Sequence, residues 1–186
     1  MQQQHFFATL MLGCMAGASF AQDAQDETKP LYTFKSMADL TATSVKDQCR
    51  TGTCWSFSTT SFLESEAARL TGQVVDLSEM ASVRHTYPLK AEMYLRHHGL
   101  HQFGPGSLCH DVLNAAADYG LVPEFAYSGL DAGEKEFNHG ELDAVLAAAV
   151  KAMSEQKVLS DDWRDAVEGI CDAYLGKLPS SFQFDG

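Results

Sequence analysis

Apolar positions recur at helical spacing over most of the chain. Between Cys54 and Thr71 they return about every 3.6 residues and Gly72 follows, so this stretch is predicted to be one helix. Only Phe182-Gln183-Phe184 alternates as a strand does, so the fold class is predicted to be mainly α. Caps and spacing predict further helices: a short one after the N-cap Ser78, one around 91–98 between Pro88 and Gly99, one capped by Ser107 and ending before Gly120, one over 142–153, and one from Ser160 to Gly176.

The first 21 residues have the pattern of a secretory signal peptide. They contain no Asp, Glu, Lys or Arg, and their apolar run, residues 6–18, is short for a membrane span. The small residues Ser19 and Ala21 suit cleavage before Gln22. A buried helix and a membrane anchor are the alternatives. The pattern predicts an exported protein, free of the membrane after cleavage, with residues 1–21 as signal peptide and 22–44 as a polar leader.

The net charge argues against polyanionic partners. The chain has 13 Lys and Arg against 25 Asp and Glu, which gives a formal charge of −12 at pH 7. No cluster of basic residues offsets this charge, so the protein repels phosphate backbones and anionic lipid surfaces. Nucleic acid and membranes are therefore not expected as partners.

The candidate chemistry lies where a loop meets the first predicted helix. Cys54 would stand at the helix N-terminus, where unpaired N–H groups favour the nucleophilic thiolate. The side-chain amide of Gln48 is placed to donate to the oxyanion that forms when Cys54 attacks a carbonyl. Gly52 lets the loop turn tightly and lets a substrate backbone approach. The simpler interpretation is a buried cysteine at the start of a helix.

The segment from Gln48 to Phe57 resembles the active-site segment of papain-like cysteine peptidases, in which Gln, five residues and then Cys-Trp-Ser-Phe supply the oxyanion donor and the nucleophile. Leu77-Ser78-Glu79 and Gly104-Pro105-Gly106-Ser107 are similar to two later segments of that family, in the same order. Within the family, the resemblance is to the bleomycin hydrolase and aminopeptidase C group. Five segments carry it: Val45-Lys46-Asp47-Gln48, Leu63-Glu64-Ser65-Glu66, Val83-Arg84-His85-Thr86-Tyr87, Phe103-Gly104-Pro105-Gly106 and His110-Asp111-Val112-Leu113-Asn114.

The resemblance implies the helical left half of the α+β papain-like fold with a helical insertion and without the β-rich right half. Residues 45–130 would form the left domain with the nucleophile helix, and residues 131–186 the helical insertion and the start of the missing β half. It implies Cys54 as nucleophile and Gln48 as oxyanion donor. The substrate-binding residues would be Gly52, Trp55, Gly106 and Ser107, the last at the position of the family's second glycine.

A thiol nucleophile of this kind needs an imidazole as base and an Asn to orient it. In the papain pattern these follow the Cys by about 130–150 residues, which places them at or beyond residue 184. His97 and His101 stand four residues apart, but Gly99 interrupts a helix between them, so no metal site is predicted. The other histidines after Cys54 all precede that window, and they lie in segments that resemble helical, non-catalytic family sequence: His85, His98, His110 and His139.

Two functional interpretations follow. The first is a cysteine peptidase of the bleomycin hydrolase or aminopeptidase C type, which cleaves peptide bonds through a Cys54 thioester and needs no cofactor. In that group an oligomer is possible. The second is a non-catalytic module that keeps the left-half fold and binds a peptide or a partner. Exo- or endopeptidase action, sequence preference and the pairing of Cys49, Cys109 and Cys171 stay open.

We predict that the 186-residue chain alone has essentially no peptidase turnover, because the base and its orienting Asn are expected outside it. The measurement is release of amine from fluorogenic aminoacyl and peptidyl amides. Amide hydrolysis that disappears in Cys54→Ala would contradict the prediction.

Overall fold

The computed structural model describes residues 32–130 and 134–184. The predicted signal peptide and the start of the leader lie outside the described residues. The chain divides into two units, Met1–Ala38 and Asp39–Gly186. Within the first, the rings of Tyr32 and Phe34 lie 6.3 Å apart, centroid to centroid. The second contains all the helices described below.

The second unit is a helical body. Its helices are α1 (Cys54–Thr71), α2 (Glu79–Arg96), α3 (Cys109–Tyr119), α4 (Gly140–Ser154) and α5 (Trp163–Leu175). The described residues contain no strand and only two isolated bridges, Arg50 with Asn138 and Leu77 with Pro123. The predicted mainly α fold class is confirmed, and the helices are consistent with the helical half of a papain-like fold. No described helix combines the length and the apolar character needed to cross a bilayer.

Helix α1 has the bounds that its spacing predicts. Gly72 ends it in the left-handed conformation, with a φ of 75°, and donates its N–H to the carbonyl of Ala68 at 2.9 Å. Glycine adopts this φ at little cost, and the bond satisfies one of the carbonyls left free at the helix end.

Helix α2 corrects the prediction of two separate helices around Pro88. Ser78 caps it as predicted, through its side chain and the N–H of Ala81, but the helix then runs on for 18 residues with Pro88 inside. A proline costs a helix one backbone hydrogen bond and normally ends it. Here Tyr87 directly before the proline and Ala91 almost one turn after it are buried, whereas Leu89 is exposed. Packing against α1, α3, α4 and α5 outweighs the local rule.

Three other local predictions were wrong. Helix α5 does not start at Ser160, because it begins at Trp163 with Asp162 at the cap position. Ser107 does not cap α3, because the helix begins at Cys109, Leu108 holds the cap position, and the Ser107 hydroxyl bonds to the side chain of Asp111 instead. Phe182-Gln183-Phe184 forms no strand and is irregular in the described residues. Alternation alone makes no strand, since a strand needs a partner to satisfy its backbone groups.

The core lies between α2, α4 and α5. Apolar side chains fill it, and Leu146, Val150, Val167 and Cys171 are completely buried. Two tyrosine hydroxyls at its edge bond to distant parts of the chain, because a buried polar group without a partner costs free energy. Examples are the Tyr87 hydroxyl on Asp143 at 2.6 Å and the Tyr127 hydroxyl on the carbonyl of Leu175 at 2.7 Å.

Gly129 packs closely against Met80 of helix α2. Its φ is 69°, and a Cβ there would overlap the Cβ of buried Met80. Gly72 is a matched control, since its φ of 75° is similar but a Cβ would meet nothing within 4 Å. We expect Gly129→Ala to lower the free energy of unfolding by about 3 kcal/mol and Gly72→Ala by about 1 kcal/mol, measured by urea denaturation. Equal losses would show that the Met80 contact contributes nothing.

Candidate active site

Cys54 is the first residue of α1, and its side chain is exposed. No side chain caps this end of the helix, and its first turn contains no acidic residue. The carbonyl of Thr53 accepts the N–H groups of Ser56 and Phe57, at 2.9 and 3.3 Å. The positive end of the helix dipole is therefore directed at the thiol without a competing carboxylate on the helix.

The loop before Cys54 is closed by the side chain of Gln48. Its Nε2 donates to the carbonyl of Thr51 at 2.7 Å, and the Thr51 hydroxyl donates back to the carbonyl of Gln48 at 2.9 Å. A carboxamide nitrogen carries two N–H groups. One is used within the loop, and the other makes no hydrogen bond to a described residue. The predicted oxyanion donor is thus half-buried in a fixed turn that leads directly to the nucleophile.

A second segment holds this loop from outside, which the sequence did not reveal. The N–H of Arg50 donates to the carbonyl of Phe137 at 3.0 Å, and the N–H of His139 donates to the carbonyl of Arg50 at 3.1 Å. The rings of Phe57 and Phe137 meet edge to face, with centroids 6.1 Å apart. Nothing in the composition of residues 137–139 indicates this contact, because it joins positions almost 90 residues apart by backbone groups.

The predicted substrate-binding residues Gly52 and Trp55 both contact Pro105. The indole N–H of buried Trp55 donates to the carbonyl of Pro105 at 3.0 Å. A Cβ on Gly52 would come within 2.6 Å of Pro105 Cγ. The glycine is thus required for close packing of two loops. A direct contact of Gly52 or Trp55 with substrate stays a prediction.

Gly106 and Ser107 lie at the edge of an open groove of about 730 Å³ between α2 and α3. Nothing lies within 4 Å of the position that a Cβ on Gly106 would occupy. The Ser107 hydroxyl donates to Asp111, whereas its backbone N–H and carbonyl make no hydrogen bond to a described residue. The backbone of Ser107 is therefore available to a ligand, whereas the Gly106 carbonyl already accepts the Lys90 ammonium at 2.6 Å. Substrate binding by this pair stays a prediction.

An ion-pair cluster centred on Lys46 supports the start of this loop. Its Nζ lies 2.5 Å from Asp76, 2.9 Å from Glu79 and 3.4 Å from Glu64, and it donates to the carbonyl of Leu77 at 3.0 Å. Burial disfavours the ammonium, but hydrogen bonds to Asp76 and Glu79 outweigh it, so the pKa of Lys46 lies above its ordinary range. The cluster fixes a backbone position two residues before Gln48.

Glu124 adds a further carboxyl group to this cluster. Its N–H donates to the carbonyl of Asp76 at 2.9 Å, which places it beside the other acids. Burial and repulsion by Glu79 raise the pKa of Glu124 to about 7, although Lys46 opposes the shift. The Glu124 carboxyl is therefore expected to change charge near neutral pH.

In the part of the chain that the structure describes, no imidazole is hydrogen-bonded to the Cys54 thiol. His85 stacks on Tyr119, with ring centroids 3.9 Å apart, and His139 is buried with neither ring nitrogen bonded. The ring centroids of His97 and His101 lie 5.3 Å apart, but residues 32–130 and 134–184 contain no group of three or more His, Cys, Asp or Glu side chains that could hold a metal ion.

The cysteines differ in exposure. Cys49, Cys54, Cys109 and Cys171 are all free thiols. Cys109 is also the exposed first residue of a helix, but the first turn of α3 contains Asp111. Cys171 is completely buried, and burial raises its pKa to about 12. Cys54 is thus exposed at a helix end that lacks an acidic residue, and Cys109 at one that contains Asp111.

The Glu124 carboxyl predicts a pH dependence of stability. Its pKa is higher folded than unfolded, so its contribution is fully present below about pH 4.3 and is lost as pH rises through 7. Glu124→Gln should therefore raise the free energy of unfolding at pH 8 by about 1 kcal/mol, after allowance for solvent screening, and change little at pH 5. Urea melts measure both. Exposed Glu136→Gln is the control, and an equal gain there would assign the effect to net charge.

Comparison with known proteins supports the family assignment of this site. Residues 34–86 match the family model described as papain family cysteine protease. No curated protein matches the chain. The matched residues include the Gln48 turn, the whole of α1 and the first part of α2. The segment that presents Cys54 therefore matches the papain family model, which supports a cysteine peptidase.

Proposed function

We propose that the protein is an exported cysteine peptidase of the bleomycin hydrolase or aminopeptidase C type. The observation that carries the proposal is the exposed Cys54 thiol at the uncapped start of α1, inside the segment that matches the papain family. The subgroup rests on the motif resemblance of the sequence. A peptide is the proposed substrate, and neither metal nor cofactor is required.

The first step is acyl transfer to sulfur. The Cys54 thiolate forms a bond to the scissile carbonyl carbon, and the π electron pair moves to oxygen. The N–H of Cys54 and the second N–H of Gln48 are the proposed donors to this oxyanion. When the carbonyl re-forms, the C–N bond breaks, the amine leaves with a proton, and a thioester remains on Cys54.

The second step releases the acid. Water attacks the thioester through a similar oxyanion, and the thiol is regenerated. Proton transfer in both steps needs an imidazole, and none of the described histidines bonds to Cys54. We therefore propose that the base is an imidazole from outside the described residues. The rigid Gln48 turn supports the oxyanion role, because a preorganised donor loses little freedom when charge develops.

Substrate would lie along the backbone of Gly106 and Ser107. This loop is fixed beside the nucleophile because Trp55, the residue after Cys54, donates its indole N–H to the carbonyl of Pro105. The unpaired N–H and carbonyl of Ser107 suit an extended peptide, which offers the complementary groups.

Alkylation by iodoacetamide tests the nucleophile. We expect Cys54 to react about tenfold faster than Cys109, since both are exposed at the start of a helix but only α3 has a carboxylate in its first turn. Peptide mapping by mass spectrometry gives the rate at each cysteine. Cys171 should react last, because it is buried.

Cys54→Ser and Cys109→Ser are the matched variants. The first should remove the fast phase, and the second should leave it unchanged. Equal, slow alkylation of Cys54 and Cys109 would contradict the peptidase proposal and favour the non-catalytic binding module.

A further inference from the structure

Three consecutive carbonyl groups of the loop before α3 are held by side chains of other helices. The ammonium of Lys90, on α2, donates to the carbonyls of Gly104 and Gly106, the latter at 2.6 Å. Between them, the Trp55 indole on α1 holds the carbonyl of Pro105 at 3.0 Å. Backbone carbonyls of an exposed loop are normally left to water. This loop is therefore fixed from two helices at once.

Lys90 is used differently from the other half-buried lysine of the helical body. Lys46 has three carboxylates within 4 Å, whereas no described carboxylate lies within 4 Å of the Lys90 ammonium. Burial lowers the pKa of Lys90, and Asp111 and Asp143 oppose the shift from a greater distance. A desolvated ammonium needs acceptors, and here the loop carbonyls provide them. The position of the charge and the conformation of the loop thus depend on each other.

The other side of the loop is left open. Because its carbonyls turn towards α1 and α2, nothing lies within 4 Å of the Cβ positions at Gly104 and Gly106. At its end, Asp111 accepts the hydroxyl of Ser107 and, at 3.3 Å, the N–H of Leu108. The unpaired backbone N–H and carbonyl of Ser107 therefore lie between the Gly106 carbonyl, which Lys90 holds, and the Asp111 side chain.

We propose that Lys90 is a positioning residue for peptide binding: it holds the loop 104–107 so that the backbone of Ser107 pairs with an extended peptide whose scissile carbonyl reaches Cys54. This inference rests on the proposed function and adds to it a residue outside the segment that matches the papain family. Lys90 does not touch the reacting atoms. It acts by keeping the loop in one conformation before peptide arrives, which reduces the ordering cost of binding.

The test separates binding from reaction at Cys54. Benzyloxycarbonyl-Phe-Ala chloromethyl ketone carries two residues before the reactive carbon, and the thiolate displaces its chloride to form a thioether. Saturation kinetics give KI for the reversible complex and kinact for the covalent step. In Lys90→Met we expect KI to rise about tenfold, the effect of losing charge-assisted hydrogen bonds, with kinact and the iodoacetamide rate unchanged. Lys90→Arg, which keeps a cation with several donors, should recover most of the loss.

Lys151→Met is the matched control, since Lys151 is an exposed lysine on α4 without an ion pair among the described residues. Hydrogen exchange adds a readout of the loop itself: residues 104–108 should exchange faster in Lys90→Met and at the original rate in Lys151→Met. If Lys90→Met does not fold, Lys90→Gln takes its place.

An unchanged KI in Lys90→Met would overturn the proposal. So would a parallel fall in kinact and in the iodoacetamide rate, which would show a general structural role. If the unaltered chain reacts rapidly with iodoacetamide but shows no saturation with the peptide reagent, the positioning role is overturned while Cys54 remains the nucleophile. Slow iodoacetamide labelling of Cys54 would instead overturn the proposed function.

Discussion

The Lys46 ammonium fixes the point at which the chain enters the nucleophile loop. Lys46 bridges Glu64 on α1, Glu79 at the start of α2 and Asp76 between them. The two glutamates are almost completely buried, and Lys46 is the one described cation within ion-pair distance of either. Removing one partner from such a cluster costs about 3–5 kcal/mol, because the other charges are left buried and unpaired. The direction in which the chain enters the Gln48 turn therefore depends on Lys46.

Short-range patterns were sufficient for the nucleophile and for the helix that carries it. The helical spacing and Gly72 gave α1 its correct bounds, and the exposed start of α1 is where the sequence placed Cys54. These features depend on residues within a few turns of one another. Pro88 is predicted locally to end a helix, but α2 continues through it because it packs against four other helices.

The supports of the site could not be predicted, because they are contacts between distant positions. Arg50 meets residues 137–139 through backbone groups, which any sequence provides. Lys90 is one of several lysines, and nothing in the sequence around it indicates that its ammonium binds two loop carbonyls. Trp55 is part of the family-like motif, but its hydrogen bond to the carbonyl of Pro105 could not be predicted from the sequence. The sequence thus indicated the reactive groups, and the structure shows what holds them.

Burial shifts the pKa values of the His139 imidazole and the Glu124 carboxyl in opposite directions. Burial lowers the pKa of His139, so this imidazole takes up a proton when the protein unfolds in mild acid. Glu124 does the opposite, since its pKa is raised in the folded state and unfolding releases its proton. Over the interval where both titrate, the proton that His139 takes up and the proton that Glu124 releases on unfolding oppose each other. The two groups therefore act in opposite directions on the pH dependence of the free energy of unfolding.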